Sequence, residues 1–557
     1  MALLAVAGAA CGGDSTGPTT IVPLCPTPTV VDLEVRTTRV IDARRESSCL
    51  QLAAGTADRE YLVVTYSAAG QETDPGISGG FTVTTERTAT ASAGASTARE
   101  AAAALLPLPG GLGATQVPGG LPADFHRRLR LGERDLARSG AIGLQSSALA
   151  MVRDVPVFGD KDTFNVCRTT ACSGFNRVGA TVRFVGRHGV IYLDDQMPAG
   201  ADALTQGDLD QLGELFDDHL YPLDTTAFGQ ASDIDGDQRV GILITDAVND
   251  LTPDCRDGRI VGYFFGGDLL QNYPGTNRRE VFYALAPKPA TANCNAVTRS
   301  SAMRLLPPVL IHELQHMISF NEHVLKRSGR DETLWVNEGL SHIAEELGQR
   351  QIPDARCPFS PTCFSQFASG NLSNAYQYLI NPEGTHLIAP ADGSGALSER
   401  GAAWLFLRWL ADHTTGTDLG TATTRALVQT ANTGDANVAA VGGASFATLL
   451  ADWHFANWLD DLPGFPATGR LHYRTWNFRD VYRRNSPQVF ERPYPLIPDS
   501  TNGASNRAGT LRAGSARYTR VVVPAGGTGV TVRVSGSTGS TRIPDVLEAR
   551  MGVVRIR

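Results

Sequence analysis

The sequence predicts an α+β protein, with a mixed sheet and chemistry-bearing helices in the middle of the chain and small all-β domains flanking them. Three observations predict it. Short β-branched runs between Gly, Asp and Pro turns fill residues 31 to about 88 and return from 498; a strand, helix and strand follow one another between 180 and 246; and two helix-periodic segments lie at 309–320 and 335–347.

At 557 residues the chain exceeds what one hydrophobic core usually organises. Residues 1–11 are apolar and small up to Cys11, and 12–30 are polar and rich in Gly, Pro and Thr, which reads as a lipoprotein-type signal with Cys11 lipidated, followed by a tether. No Lys or Arg precedes the apolar run and Gly8 departs from the usual pattern, so the other reading is a signal cleaved elsewhere and a freely secreted protein. Residues 31–88 carry Glu60-Tyr-Leu-Val-Val-Thr-Tyr66 and Phe81-Thr-Val-Thr-Thr85, the strands of a small β domain. Residues 89–150 begin as an Ala/Ser/Thr/Gly/Pro linker and end in Phe125–Ile142, an Arg- and Leu-rich helical stretch that reads as a propeptide or a connecting helix.

The largest domain is placed at 151–490. It opens with the strand pair Ala180–Val185 and Gly189–Leu193, then an amphipathic helix from about Thr205 to Leu220, then an acidic turn running into the apolar strand that ends near Thr245. Residues 498–557, with Arg520-Val-Val-Val523 and Gly529-Val-Thr-Val-Arg-Val534, read as a C-terminal β-sandwich-like module.

Composition narrows the function classes. With 42% hydrophobic and 19% charged residues the chain is globular, and a net charge of −8 offers no basic excess to attract a phosphate backbone, so nucleic acid is not an expected partner. After the first dozen residues no apolar run reaches membrane-spanning length, leaving the N-terminal lipid as the expected membrane contact. Eight cysteines beyond Cys11 fall into local pairs, Cys25/Cys49, Cys167/Cys172, Cys255/Cys294 and Cys357/Cys363, which suggests four disulfides and export.

The segment Val309-Leu-Ile-His-Glu-Leu-Gln-His-Met-Ile-Ser-Phe320 has apolar residues at helical spacing, so His312 and His316 share one face, close enough to hold one cation. Glu313 stands one residue on, where a carboxylate reaches a water without being a ligand itself. Chance alone produces such a motif in roughly one chain in a hundred of this length. The second periodic segment, Trp335-Val-Asn-Glu-Gly-Leu-Ser-His-Ile-Ala-Glu-Glu-Leu347, offers Glu338 as a third ligand. Two neutral imidazoles and a carboxylate suit Zn²⁺ and leave a coordination position open for water.

The histidine motif followed at this distance by Asn337-Glu338-Gly339 resembles the gluzincin metallopeptidases, and the wording around it is most similar to the hyicolysin-type neutral metallopeptidases, over roughly residues 180 to 480. The resemblance implies a zincin-like catalytic domain, a protein or peptide substrate, Glu313 as general base and Glu338 as third zinc ligand. Twenty-one residues separate His316 from Glu338, slightly more than in the thermolysin-like and aminopeptidase families, and His342 stands where the thermolysin-like pattern has an aspartate. Support for a ligating histidine is therefore assigned to Glu345, against an ordinary solvated role. A metzincin would need a glycine at position 319 and a histidine at 322, where Ser319 and Glu322 stand. For the oxyanion the resemblance points downstream, to Tyr376, Tyr378, His386, His413 or Arg400.

Asp233, Asp235 and Asp237 alternate around Gly236 at the spacing of Ca²⁺ loops, but Gln238 and Ile244 depart from the full loop pattern, so calcium stands beside a plain acidic turn. The expectation for the whole is an exported zinc endopeptidase. The rival expectations are a surface binding or adhesion lipoprotein with an inactive peptidase-like domain, and a zinc hydrolase of non-peptide substrates.

Overall fold

The computed structural model describes residues 25, 27–87, 121–138, 153–197, 200, 202–270, 273, 275–391, 395–414 and 418–557. The signal, Cys11, the tether up to residue 24 and the linker of 88–120 lie outside the described residues. The chain is mixed α and β, with three sheets and many helices.

Five N-terminal strands, β1 (Thr29–Val31), β2 (Thr38–Asp42), β3 (Cys49–Leu52), β4 (Arg59–Ser67) and β5 (Ser78–Arg87), precede the helix α1 (Leu121–Arg138). Then come β6 (Lys161–Cys167), β7 (Phe175–Val185), β8 (Gly189–Asp194), α2 (Gln206–Leu215), α3 (Tyr221–Ala227), β9 (Val240–Ile244), α4 (Asp246–Asp250), β10 (Gly262–Phe264) and β11 (Val281–Ala284). A helical run follows: α5 (Arg299–Phe320), α6 (Leu334–Gln351), α7 (Cys363–Phe367), α8 (Ser369–Ile380), α9 (Leu397–Thr414), α10 (Thr421–Val428), α11 (Gly434–Gly442), α12 (Phe446–Leu459) and α13 (Phe478–Arg484). The chain closes with β12 (Asp499–Thr501), β13 (Ser505–Arg512), β14 (Ala516–Val523), β15 (Val530–Gly536) and β16 (Ala549–Arg555).

The β segments at the two ends, expected as separate modules, form one sandwich. Its sheets have the orders β1-β3-β15-β5-β13 and β12-β14-β4-β16-β2, so N- and C-terminal strands pair with one another in both. Alternation along β4 explains why nearly every residue of it is buried. Tyr61 and Val63 face the sandwich core, while Leu62, Val64 and Tyr66 pack into the helical body. Gly552 of β16 allows this close approach: a Cβ there would stand 2.8 Å from Phe455 Cζ of α12. The sandwich is thus a wall of the molecule and not a pair of flanking domains. Strand partners some 400 residues apart leave no local mark in a sequence, which is why the two ends read as separate units.

The third sheet runs β10-β11-β9-β8-β7-β6, with β8, β9 and β11 parallel and the outer strands antiparallel. All five residues of β9 are buried, as expected of an apolar run at the centre of a covered sheet. The helix expected to start at Thr205 does so: Thr205 caps α2 reciprocally with Asp208. A single π-turn at Phe216–Leu220 then carries it into α3. All four expected cysteine pairs are bonded, with Cα atoms 4.8 to 5.7 Å apart. Among the described residues no helix is long and apolar enough to cross a membrane.

Candidate metal centre

Helix α5 begins ten residues before the periodic segment and passes through Pro307 and Pro308, with Thr298 capping its start. Burial of Ala302, Met303 and Leu306 holds this first stretch against the body despite the prolines. The stretch from Leu310 to Phe320 is buried throughout, so the two histidines stand on a helix packed on every side. Helix α6 packs beside it, and Ser341 Oγ donates to Gln315 Oε1 at 2.5 Å across the seam.

This packing brings together His312, His316 and Glu338, whose nearest ligand atoms all lie within 4.8 Å of one another. His312 Nε2 is 3.7 Å from Glu338 Oε2, and His316 Nε2 is 3.8 Å from Glu338 Oε1. Each imidazole is held from behind. His312 Nδ1 meets Glu345 Oε1 at 2.7 Å, and His316 Nδ1 meets Asn337 Oδ1 at 2.7 Å, so both Nε2 atoms face the carboxylate. Glu345 thus lies against His312, and it also lies 3.2 Å from His342 Nδ1. The role of Asn337 was not read from the sequence, although it precedes Glu338 in the motif.

The donor set fits a divalent cation on a direct observation. Both Glu338 oxygens are buried and accept no hydrogen bond, while the Nε2 atoms of His312 and His316 face them. Burial alone would raise the Glu338 carboxyl, but the Arg400 guanidinium and the two imidazoles hold it well below its ordinary value. Glu345 is likewise held down to about 2 against the effect of burial, chiefly by His342 and His312. Burial raises Glu313, with His312 and Arg130 opposing. Glu313 Oε2 accepts from Phe264 N at 2.8 Å, which leaves Oε1 as the oxygen available for a proton.

Of the five residues considered for the oxyanion, only Arg400 of α9 has a contact with the cluster among those described, with Nη1 3.4 Å from Glu338 Oε2. Tyr376 stacks on Phe490 and its hydroxyl accepts from Arg492 N; Tyr378 stacks on Trp453 in the core; His413 pairs with His472 O; and His386 faces Glu399. Sequence reasoning also missed α1. His126 Nδ1 lies 4.0 Å from Glu313 Oε1, and the buried Arg130 and Glu133 bond to the backbone of Phe264, the last residue of β10, and of Gly266 just after it. Nothing in the spacing of 121–138 marks those contacts.

The three aspartates of the acidic turn also converge, with ligand oxygens within 4.8 Å. Burial and the neighbouring Asp237 push Asp235 up to about 6. Gln238 N donates to Asp233 Oδ1 at 2.9 Å, closing the loop around Gly236 at φ +77°.

Two imidazoles and a buried carboxylate form a group that could hold a metal ion, with the Glu313 carboxylate next to His312 on the same helix. No protein-family model matches the chain. Over 184 residues it is 27% identical to the neutral metalloprotease ShpI of Staphylococcus hyicus, a match covering 33% of this chain and 39% of that protein. The chain therefore spans about two fifths of that relative's length. The similarity supports a distant relationship to metalloproteases.

Proposed function

We propose that this protein is a zinc-dependent endopeptidase with a zincin-like catalytic unit. The carrying observation is the buried triad of His312, His316 and Glu338, with both imidazoles oriented by Glu345 and Asn337. Zinc bound there would act as a Lewis acid on the scissile carbonyl and lower the pKa of a water. Glu313, pinned through Oε2 by Phe264 N, takes a proton from the attacking water on Oε1 and passes it to the leaving amine. Arg400, 3.4 Å from Glu338 Oε2, is proposed as the cation that faces negative charge developing on the substrate oxygen. Four disulfides support an exported protein, with Cys11 proposed as its lipid anchor. The Asp233/Asp235/Asp237 loop is proposed to bind Ca²⁺ as a structural ion.

The test compares wild type with Glu313→Gln on unfolded casein and a panel of small esters, with zinc content measured for each. Each is measured intact and after cutting on both sides of residues 121–138, and the expected result is casein cleavage by the wild-type sequence, lost by at least about a hundredfold in the variant while zinc stays stoichiometric. Zinc-loaded protein that cleaves esters and not casein, or neither, both intact and cut, refutes the proposal.

A further inference from the structure

Helix α1 lies where a ligand of the centre would lie. β10 is an edge of the mixed sheet, and an edge strand presents backbone groups that can pair with an incoming chain. Here α1 side chains take one group at the end of β10, in Phe264, and one just beyond it, in Gly266. Arg130 Nη2 donates to Phe264 O at 2.8 Å, and Glu133 Oε1 accepts from Gly266 N at 2.7 Å. Arg130 is 0% and Glu133 1% exposed, and they pair at 3.1 Å. Burying polar side chains is costly unless they find partners, and each of these two finds one in the backbone at or just after the end of β10.

The same helix covers the chemistry. His126 Nδ1 is buried without a hydrogen-bond partner and lies 4.0 Å from Glu313 Oε1, and the His126 ring stands 6.5 Å from that of His312. On the other side, Ala123 and Arg127 of α1 close over Trp335, Glu338 and Arg400, leaving a cavity of about 20 Å³, room for little more than one water. With α1 in place Glu313 is 2% and Glu338 3% exposed. Residues 27–87 are held independently of it, because β5 pairs along its length with β13 and β15.

We infer that the groove floored by β10, α5 and α6 is a peptide-docking surface and that α1 is its built-in occupant, an intramolecular blocker that must leave before an extended polypeptide can reach Glu313. The inference rests on the endopeptidase reading for its ligand class, and its test separates docking from catalysis.

Recognition sites for a specific protease are inserted in residues 88–120 and 139–150 of the full chain carrying Glu313→Gln, and the cut protein is freed of the 121–138 fragment. Binding of a fluorescent 121–138 peptide and of an extended casein-derived peptide is followed by anisotropy. The cut protein is expected to bind both, each displacing the other, while the uncut protein binds casein peptide at least a hundredfold more weakly. Equal binding by cut and uncut protein, or simultaneous binding of the two peptides, overturns the inference. Because removal of α1 could unfold the body, the uncut chain with Arg130→Glu is measured in parallel. That carboxylate joins Glu133 and Asp331, whose charges Arg130 now opposes, and should expel α1 and restore casein-peptide binding. Unfolding on excision together with unchanged binding in Arg130→Glu would make α1 a structural helix and overturn the inference. In the Glu313 background, cutting should raise casein hydrolysis at least tenfold. Mutually exclusive docking without any hydrolysis would refute the proposed catalysis and leave the docking surface standing.

Discussion

Replacing Glu345 by alanine removes the carboxylate that orients His312 and leaves the imidazole free to rotate. The contact is 2.7 Å from Nδ1 to Oε1, a charge-assisted hydrogen bond in a buried setting. Loss of such a partner typically costs 10- to 100-fold in metal affinity, or about 1.4–2.7 kcal/mol. Glu345→Gln keeps an acceptor of the same shape without the charge and should fall at or below the lower end of that range. Asn337→Ala should also cost less, because Asn337 is a neutral acceptor and Ser341 Oγ remains 3.2 Å from His316 Nδ1. The assay is zinc competition against a chromogenic chelator at neutral pH, with circular dichroism melting of each metal-free variant as the control for folding. The order wild type, Glu345→Gln, Glu345→Ala in weakening affinity is expected. An alanine variant that binds zinc within about twofold of wild type, with an unchanged melting curve, would refute the orienting role of Glu345.

Glu346 is 0% exposed and accepts from Arg350, Trp404 and Trp476, with Arg408 3.7 Å away, so Glu346→Ala should destabilise by about 3–5 kcal/mol in denaturant unfolding. A loss below about 1 kcal/mol, the range of an exposed ion pair, would show that these partners are satisfied otherwise. Asp460 is pushed up to about 8 by burial, then by Asp461, so its folded form holds a proton more tightly than the unfolded chain does. Its stabilising contribution is therefore full at low pH and lost as pH rises from about 4 to about 8. Asp460→Asn keeps the acceptor for Tyr473 N and should lose less melting temperature than wild type between about pH 5 and pH 9; equal losses would refute the assignment. Calcium at a hundred times its dissociation constant should stabilise by about 2.7 kcal/mol, and Asp235→Ala should abolish the effect. A wild-type melting temperature identical in calcium and in chelator would leave the loop a plain acidic turn.

The sequence by itself determined those features that are local. Helical periodicity put His312 and His316 on one face and Glu313 beside them, the apolar run at 240–244 announced a central strand, and the cysteines paired with neighbours in the chain. Glu338 and Glu345 were legible because both lie on one short helix whose motif repeats a known pattern. Only the tertiary structure decided which partners meet across the chain. It joined the two β ends into one sandwich, brought Arg400 of α9 to Glu338, and laid α1 along the edge of β10. These pairings span tens to hundreds of residues, so the side chains involved carry no periodicity or spacing that relates them. Arg130 and Glu133 lie in a stretch that the sequence marks only as an Arg- and Leu-rich helix, and their burial follows from what the folded body places beneath them.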